Sequence, residues 1–286
     1  MPTSAIVLVL ISCFSHAGWN LLAKRSRQRV GLFWWSTLVS AALLSPASIA
    51  FFLVLRGDWP QRVWAYLAVS GPALGLYKYA LARAYRAGDL SLVYPIARSA
   101  PLFVAVWAAV LLGEWIDLAG GVGIVLVVAA AVALSLPPGG LAGAGPTGRA
   151  VGWAVLTALC SSIYSVADRA AMLAVDGWFG RLVYLQLEFT GMWLGLTLLS
   201  MSGLGGGGWR VLRAEGGSIV GVGLLEPLTY LMILLALSMP AAGVSYVVTL
   251  RQFSAIVGVL FGWRLLREPR GWLRLISAVV MVGGLV

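Results

Sequence analysis

Long apolar runs follow one another along this chain, with only short charged or Gly/Pro-rich breaks between them. A helix needs about 20 apolar residues to cross a hydrocarbon core about 30 Å thick, and inside that core it must satisfy its own backbone hydrogen bonds. The runs fall at roughly residues 3–23, 31–54, 63–82, 90–112, 117–136, 150–173, 178–200, 217–238, 241–263 and 271–286. They predict an all-α integral membrane protein with ten transmembrane helices. Only 10% of residues are charged, against roughly 25% in a soluble domain, too few for a water-facing shell. The net charge of +10 therefore reads as basic residues gathered at membrane boundaries, not as a surface for nucleic acid. The breaks KRSRQR and RGDWPQR are too short to carry a soluble domain. The amino terminus lacks the basic flank of a cleaved leader and is expected to form the first span.

The runs divide five and five. PPGGLAGAGPTGR, residues 137–149, reads as a linker between a first unit, 1–136, and a second, 150–286. An offset of 154 residues lays Leu111-Leu112-Gly113-Glu114 over Leu265-Leu266-Arg267-Glu268, and Arg98 over Gln252. An offset of 145 lays Trp19-Asn20 over Tyr164-Ser165, and Lys24 over Arg169; a longer loop at MSGLGGGGW accounts for the difference. An odd number of helices per unit reverses the second copy, giving two five-helix inverted repeats suited to alternating access. Small-x-x-x-small pairs at Gly71/Gly75, Gly191/Gly195, Gly217/Gly221 and Gly258/Gly262 predict close helix contacts.

Ionisable groups inside a membrane tend to face the bundle interior or an aqueous path. Arg98 is such a group, one turn after Tyr94 and between Pro95 and Pro101, which can free backbone carbonyls. Two readings stand for it: a cation facing a substrate carboxylate, or the partner of Glu226. Its repeat mate Gln252 is neutral, with Arg251 one position away; Tyr246 and Thr249 precede them, the latter either lining the path or bonding its own backbone. His16 and Asn20 share a face of the first helix, with Trp19 beside them. As the chain's single histidine, His16 is either a proton-coupling group or a neutral hydrogen-bonded one. Tyr164 and Asp168 are likewise four apart, and Asp168-Arg169, near the helix end, is expected to form an interfacial ion pair in preference to a proton relay. Tyr77 and Tyr230 offer aromatic rings with polar tips to a ligand. Glu114 and Glu268 are expected to cap helices. Trp34, Trp35, Trp59, Trp64 and Trp209 read as interfacial belts. Cys13 and Cys160 lie in apolar runs and suggest neither a disulfide nor a metal site. No nucleotide loop, cofactor motif or nucleophile–base pair is legible, so no catalytic residue is assigned.

The stretches LVYPIARSAPLFVAVWAAVLLGEW and YVVTLRQFSAIVGVLFGWRLLREP, together with HAGWNLLAKR and SSIYSVADR, resemble the EamA-like branch of the drug/metabolite transporter superfamily. The resemblance implies ten spans, a central cavity shared by both halves, and export of amino acids or related metabolites across the inner membrane, without a cofactor. The candidate substrate-binding residues are then His16, Trp19, Asn20, Tyr77, Tyr94, Arg98, Tyr164, Tyr230, Tyr246, Thr249 and Gln252. A monomer among membrane lipids, with proton coupling, fits this picture. The alternatives are a nucleotide-sugar or phosphorylated-sugar exchanger, served by Arg98, Arg251 and Lys78, and a lipid-modifying membrane enzyme. The connections after odd-numbered helices hold thirteen Lys and Arg residues against four opposite. The positive-inside rule therefore places the amino terminus outside, whereas the resemblance implies cytoplasmic termini.

Overall fold

A computed structural model of the chain describes residues 1–24, 26, 29–87, 93, 96–135, 148–200, 207–265 and 272–284. Among the described residues the regular structure is entirely helical. Helix α1 spans Thr3–Lys24, α2 Arg29–Ile49, α3 Gln61–Ala87, α4 Ala100–Trp107, α5 Leu118–Ser135 and α6 Gly148–Met172. Then come α7 Gly177–Ser200, α8 Gly207–Leu237, α9 Val244–Leu250, α10 Ser254–Leu265 and α11 Trp272–Gly283. Both α2 and α4 run on into single π-helical turns, Ala50–Val54 and Ala108–Leu112. The second ends at Gly113, whose φ of 68° suits a residue without Cβ.

Six described stretches are long and apolar enough to cross a membrane: Thr3–Ala23, Val30–Val54, Gly148–Met172, Gly177–Ser200, Trp209–Leu237 and Val244–Phe261. Large apolar side chains such as Ile11, Phe14, Leu198 and Leu224 point outward from them. Lipid accepts such a surface, and the chain is a multi-pass membrane protein. Helix α3 falls outside the six: besides Lys78 its central stretch carries Tyr66, Ser70, Gly71, Pro72, Gly75, Tyr77 and Tyr79, which lower its mean hydropathy. The linker at 137–149 and the loop MSGLGGGGW lie almost wholly outside the described residues, as does Glu268.

Helices from the two halves of the chain interleave. Helix α3 packs on α6 and α7, α1 on α8 and α10, α2 on α7 and α8, and α5 on α11. A close seam joins α3 to α7. A Cβ on Gly71 would stand 3.0 Å from the Cα of Gly191, and one on Gly75 would stand 2.8 Å from the carbonyl oxygen of Met192. Absence of side chains there brings the two backbones together, as the spacing predicts. Gly217 and Gly258, by contrast, have open space around the Cβ position. Ser40 of α2 donates to the carbonyl of Gly223 in α8 at 2.8 Å, a second close approach between halves.

Trp59 departs from the belt expectation. It is 7% exposed and sits among Phe51, Phe52, Trp64 and Tyr184. The π-helical turn after Pro46 carries Phe51 and Phe52 over it, so the ring serves packing, not the lipid boundary. Trp209 and Trp64 do remain outward-facing.

Candidate functional site

Lys78 sets the centre of the polar interior. Its α3 position is 1% exposed, and its ammonium makes an ion pair with Glu226 of α8. The same nitrogen lies 4.3 Å from the ring centroid of Trp19 and 4.4 Å from that of Phe33. An ammonium removed from water needs a carboxylate to offset its desolvation, and the aromatic faces add cation–π attraction. His16 meets Trp19 edge-on at 4.9 Å. Three buried atoms here, His16 Nδ1, Trp19 Nε1 and Glu226 Oε2, have no hydrogen-bond partner among the described residues. Two of them can accept and one can donate, depending on the histidine tautomer.

A tyrosine series continues from this point. Tyr77 of α3 meets Tyr164 of α6 edge-to-face at 5.8 Å, and Tyr164 meets Tyr230 of α8 at 6.1 Å. The Tyr230 hydroxyl donates to Asp168 Oδ2, and the Tyr184 hydroxyl donates to Oδ1 at 2.9 Å. The Arg251 guanidinium lies 5.8 Å from the Tyr230 ring centroid. The series thus connects a half-buried cation to a fully buried acid.

Arg251 occupies a break in the helical backbone. A 3-10 turn, Arg251–Phe253, separates α9 from α10. A matching break precedes α4, where Arg98 and Ser99 form a turn and Pro101, lacking an N–H, opens the helix that follows. The two breaks face each other: Arg98 Nη1 donates to Gln252 Oε1 at 2.9 Å and to Ser254 Oγ at 3.2 Å.

Of the predicted residues, the fold brings together His16 with Trp19, Tyr77 with Tyr164 and Tyr230, and Arg98 with Gln252. Asn20 and Thr249 instead spend their side chains on local backbone, donating to the carbonyls of His16 at 2.8 Å and Ser245 at 2.7 Å. Tyr246 is 37% exposed, and its hydroxyl lies with Asp117 beside Gly120, away from the polar interior. Tyr94 lies outside the described residues.

Two expected ion pairs are replaced. Glu226 belongs to Lys78, while Arg98 reaches across to Gln252. Arg169 takes Glu114, at 2.6 Å, and donates to the carbonyls of Leu237, Met239 and Pro240 at 2.5, 2.9 and 2.9 Å. Asp168 turns the opposite way, to its tyrosines. Adjacent helical residues diverge by about 100° around the axis, so a shared pair was geometrically disfavoured. Glu114 does cap a helix, but in the other half: its Oε2 accepts the Val244 N–H that opens α9, at 2.8 Å.

Lys78, Glu226, Arg251 and Asp168 complete the cluster without being among the residues predicted to bind substrate. Each is a charge inside an apolar run, which was the available signal. Glu188 of α7 carried the same signal. A separate cleft of about 320 Å³, lined by Arg83, Arg86, Ala87, Arg149 and Trp153, holds none of the predicted residues. Among the described residues no group of three His, Cys, Asp or Glu side chains is placed to hold a metal.

Comparison with known proteins extends this picture. Residues 3–136 match the model of the EamA-like transporter family. A Sinorhizobium sp. protein named as an uncharacterized transporter in the cobO 3'region is 32% identical over 94 residues, 31% of this chain and 67% of its own length. A crystal structure described only as that of a protein superimposes with a TM-score of 0.74 at 17% identity, covering 100% of this chain and 96% of its own. That last likeness concerns the fold alone.

Proposed function

The chain belongs to the EamA-like transporter family, and on that premise we propose that it is a secondary transporter exporting amino acids or related small metabolites by alternating access. It acts as ten spans in two five-helix inverted repeats within the cell inner membrane. The packing supports the repeats, because exchanging each helix for its counterpart five spans later turns the α3–α6 contact into the α8–α1 contact. The same exchange turns the α3–α7 contact into the α8–α2 contact. Residues related by a two-fold axis can touch each other only beside that axis, and Arg98 touches its repeat mate Gln252. The pseudo-two-fold axis relating the repeats then passes beside the helix breaks.

The observation that carries the substrate reading is the placement of Arg98 and Arg251, both half-buried, at facing helix breaks beside aromatic rings. A carboxylate is the natural partner of a guanidinium fork, and the Trp19–Tyr77–Tyr164–Tyr230 wall suits an amphipathic small molecule. Glu226 Oε2, buried without a donor, supplies an acceptor for an ammonium group. Phosphorylated sugars fit less well, since Lys78 is already neutralised by Glu226. The role of His16, Trp19, Tyr77, Tyr94, Arg98, Tyr164, Tyr230 and Gln252 is substrate contact; Asn20, Thr249 and Tyr246 are set aside on their geometry.

The test is uptake by proteoliposomes loaded with a panel of amino acids for exchange. Arg98→Gln is expected to lower apparent affinity while the protein stays folded in detergent. Arg98→Lys should recover only part, because lysine keeps the charge and loses the bidentate fork. Unchanged affinity in folded Arg98→Gln would remove Arg98 from the site.

A further inference from the structure

The most enclosed acids of the molecule stand apart from both ion pairs. Asp168 on α6 and Glu188 on α7 are each 0% exposed, and Tyr184, one turn before Glu188 on α7, donates its hydroxyl to Asp168, so the two acids meet in one buried polar patch. Among the described residues the interior ion pairs are Lys78–Glu226 and Arg169–Glu114; neither Asp168 nor Glu188 takes a lysine or an arginine. Their other donors are neutral hydroxyls. Tyr184 and Tyr230 donate to the two oxygens of Asp168, and Ser70 of α3 donates to Glu188 Oε1 at 2.7 Å. Among the described residues Glu188 Oε2 is buried without a donor.

Two neighbouring carboxylates served only by neutral hydroxyls cannot both stay ionised in a low-dielectric interior, so one of the two holds a proton. Asp168, served by two phenols, is built as the acceptor. Glu188, served by one serine, is the seat of the proton, which accounts for its unmatched oxygen.

We infer that Asp168 and Glu188 share one exchangeable proton and form the ion-coupling site of the transporter, tied to the substrate region through Tyr230. The inference rests on the transporter reading above and supplies its coupling ion. Release sends the proton from Glu188 to water and leaves two carboxylates, a net gain of one negative charge in the interior. Arg251 lies over the ring of Tyr230, the residue that donates to Asp168. Occupation of Arg251 by a substrate carboxylate therefore alters the charge that the acid pair experiences, and the two ligands become linked. The groups facing the pair from each packed element are few. Helix α3 brings Ser70, with Tyr77 and Lys78 farther along and engaged elsewhere. Helix α7 brings Tyr184, α8 brings Tyr230, and the turn after α9 brings Arg251. Helix α2 offers Ser48, which is uncharged and bound to Gln186 at 2.6 Å. Glu114, beyond α4, is held by Arg169. His16 touches neither acid.

Two measurements test the site. Infrared difference spectra of the purified protein should contain a protonated-carboxyl band at neutral pH that is missing in Glu188→Gln; a wild-type spectrum without that band overturns the inference, whatever the substrate proves to be. In proteoliposomes with a pH-sensitive dye inside, wild-type transport of an amino acid should move protons and respond to an imposed pH gradient. Glu188→Gln should keep gradient-free exchange and lose both. Substrate movement without proton movement in the wild type, or a full gradient response in Glu188→Gln, refutes the coupling site. If Glu188→Gln does not fold, Asp168→Asn is measured in its place, with the same loss expected. A wild type that shows the infrared band yet moves no amino acid leaves the proton pair standing and defeats the substrate reading instead.

Discussion

Replacing Gly75 by alanine probes the seam on which both the buried lysine and the acid pair depend. The added methyl would sit 2.8 Å from the carbonyl oxygen of Met192, 3.2 Å from the Cα of Gly195 and 3.2 Å from the nitrogen of Leu196. All three are backbone atoms, so no rotamer change relieves the contact. Carbon atoms prefer separations of about 3.5–4.0 Å, and α3 must therefore retreat from α7 by about 0.5–1 Å. Overpacking of this kind costs about 1–3 kcal/mol. The gain from replacing glycine by alanine in a helix, about 0.4–1 kcal/mol, offsets only part of it. Gly217 provides the control, since it begins a motif of the same spacing yet has nothing within 4 Å of its Cβ position. Gly217→Ala should be neutral or stabilising by up to about 1 kcal/mol. Equilibrium unfolding of both variants in mixed detergent reads the two signs directly. Equal stability of Gly75→Ala and the wild type would mean that the seam yields without cost, and the close-packing account would fail.

Arg169→Leu should destabilise the fold by about 3–5 kcal/mol, because Glu114 and three carbonyls lose their donor together. Adding Glu114→Leu should restore only part of this, which a double-mutant cycle in thermal unfolding measures. Lys78→Met should cost a similar ~3–5 kcal/mol by stranding Glu226 in the interior. The double variant Lys78→Met, Glu226→Leu should regain most of the loss; a double variant as weak as the single one would show that Lys78 acts through more than its ion pair.

The apolar runs made the helical membrane class readable, since a backbone in lipid has few options. They also located the breaks: Pro101 and Arg98 coincide with a real interruption, and Arg98 meets the residue that repeat alignment assigns to it. Pair identities were harder to read. Lys78 and Glu226 are separated by much of the chain, and only tertiary packing decides that Glu226 faces Lys78 in place of Arg98. Asp168 and Arg169 illustrate the same limit over one residue, because helical rotation sends neighbours to different partners. Tyr246 resembled its fellow tyrosines in composition, yet lies on the outer side of α9. Glu188 was visible as an acid in an apolar run with Tyr184 one turn before it; its acid companion, Asp168, comes from a different helix and only packing brings it there.

The interleaving of the two halves bears on how the protein is made. Translation delivers α1 to α5 to the membrane before α6 exists, so Lys78 enters lipid ahead of Glu226 and Ser70 ahead of Glu188. The glycine face of α3 likewise waits for α7. A nascent first half is therefore an unfinished surface with a charge and a backbone groove turned toward lipid, in need of shelter at the insertion machinery until its counterpart arrives. A stall or truncation in the linker would leave a fragment marked for membrane proteolysis, and the two halves synthesised as separate polypeptides would recover function only when produced together.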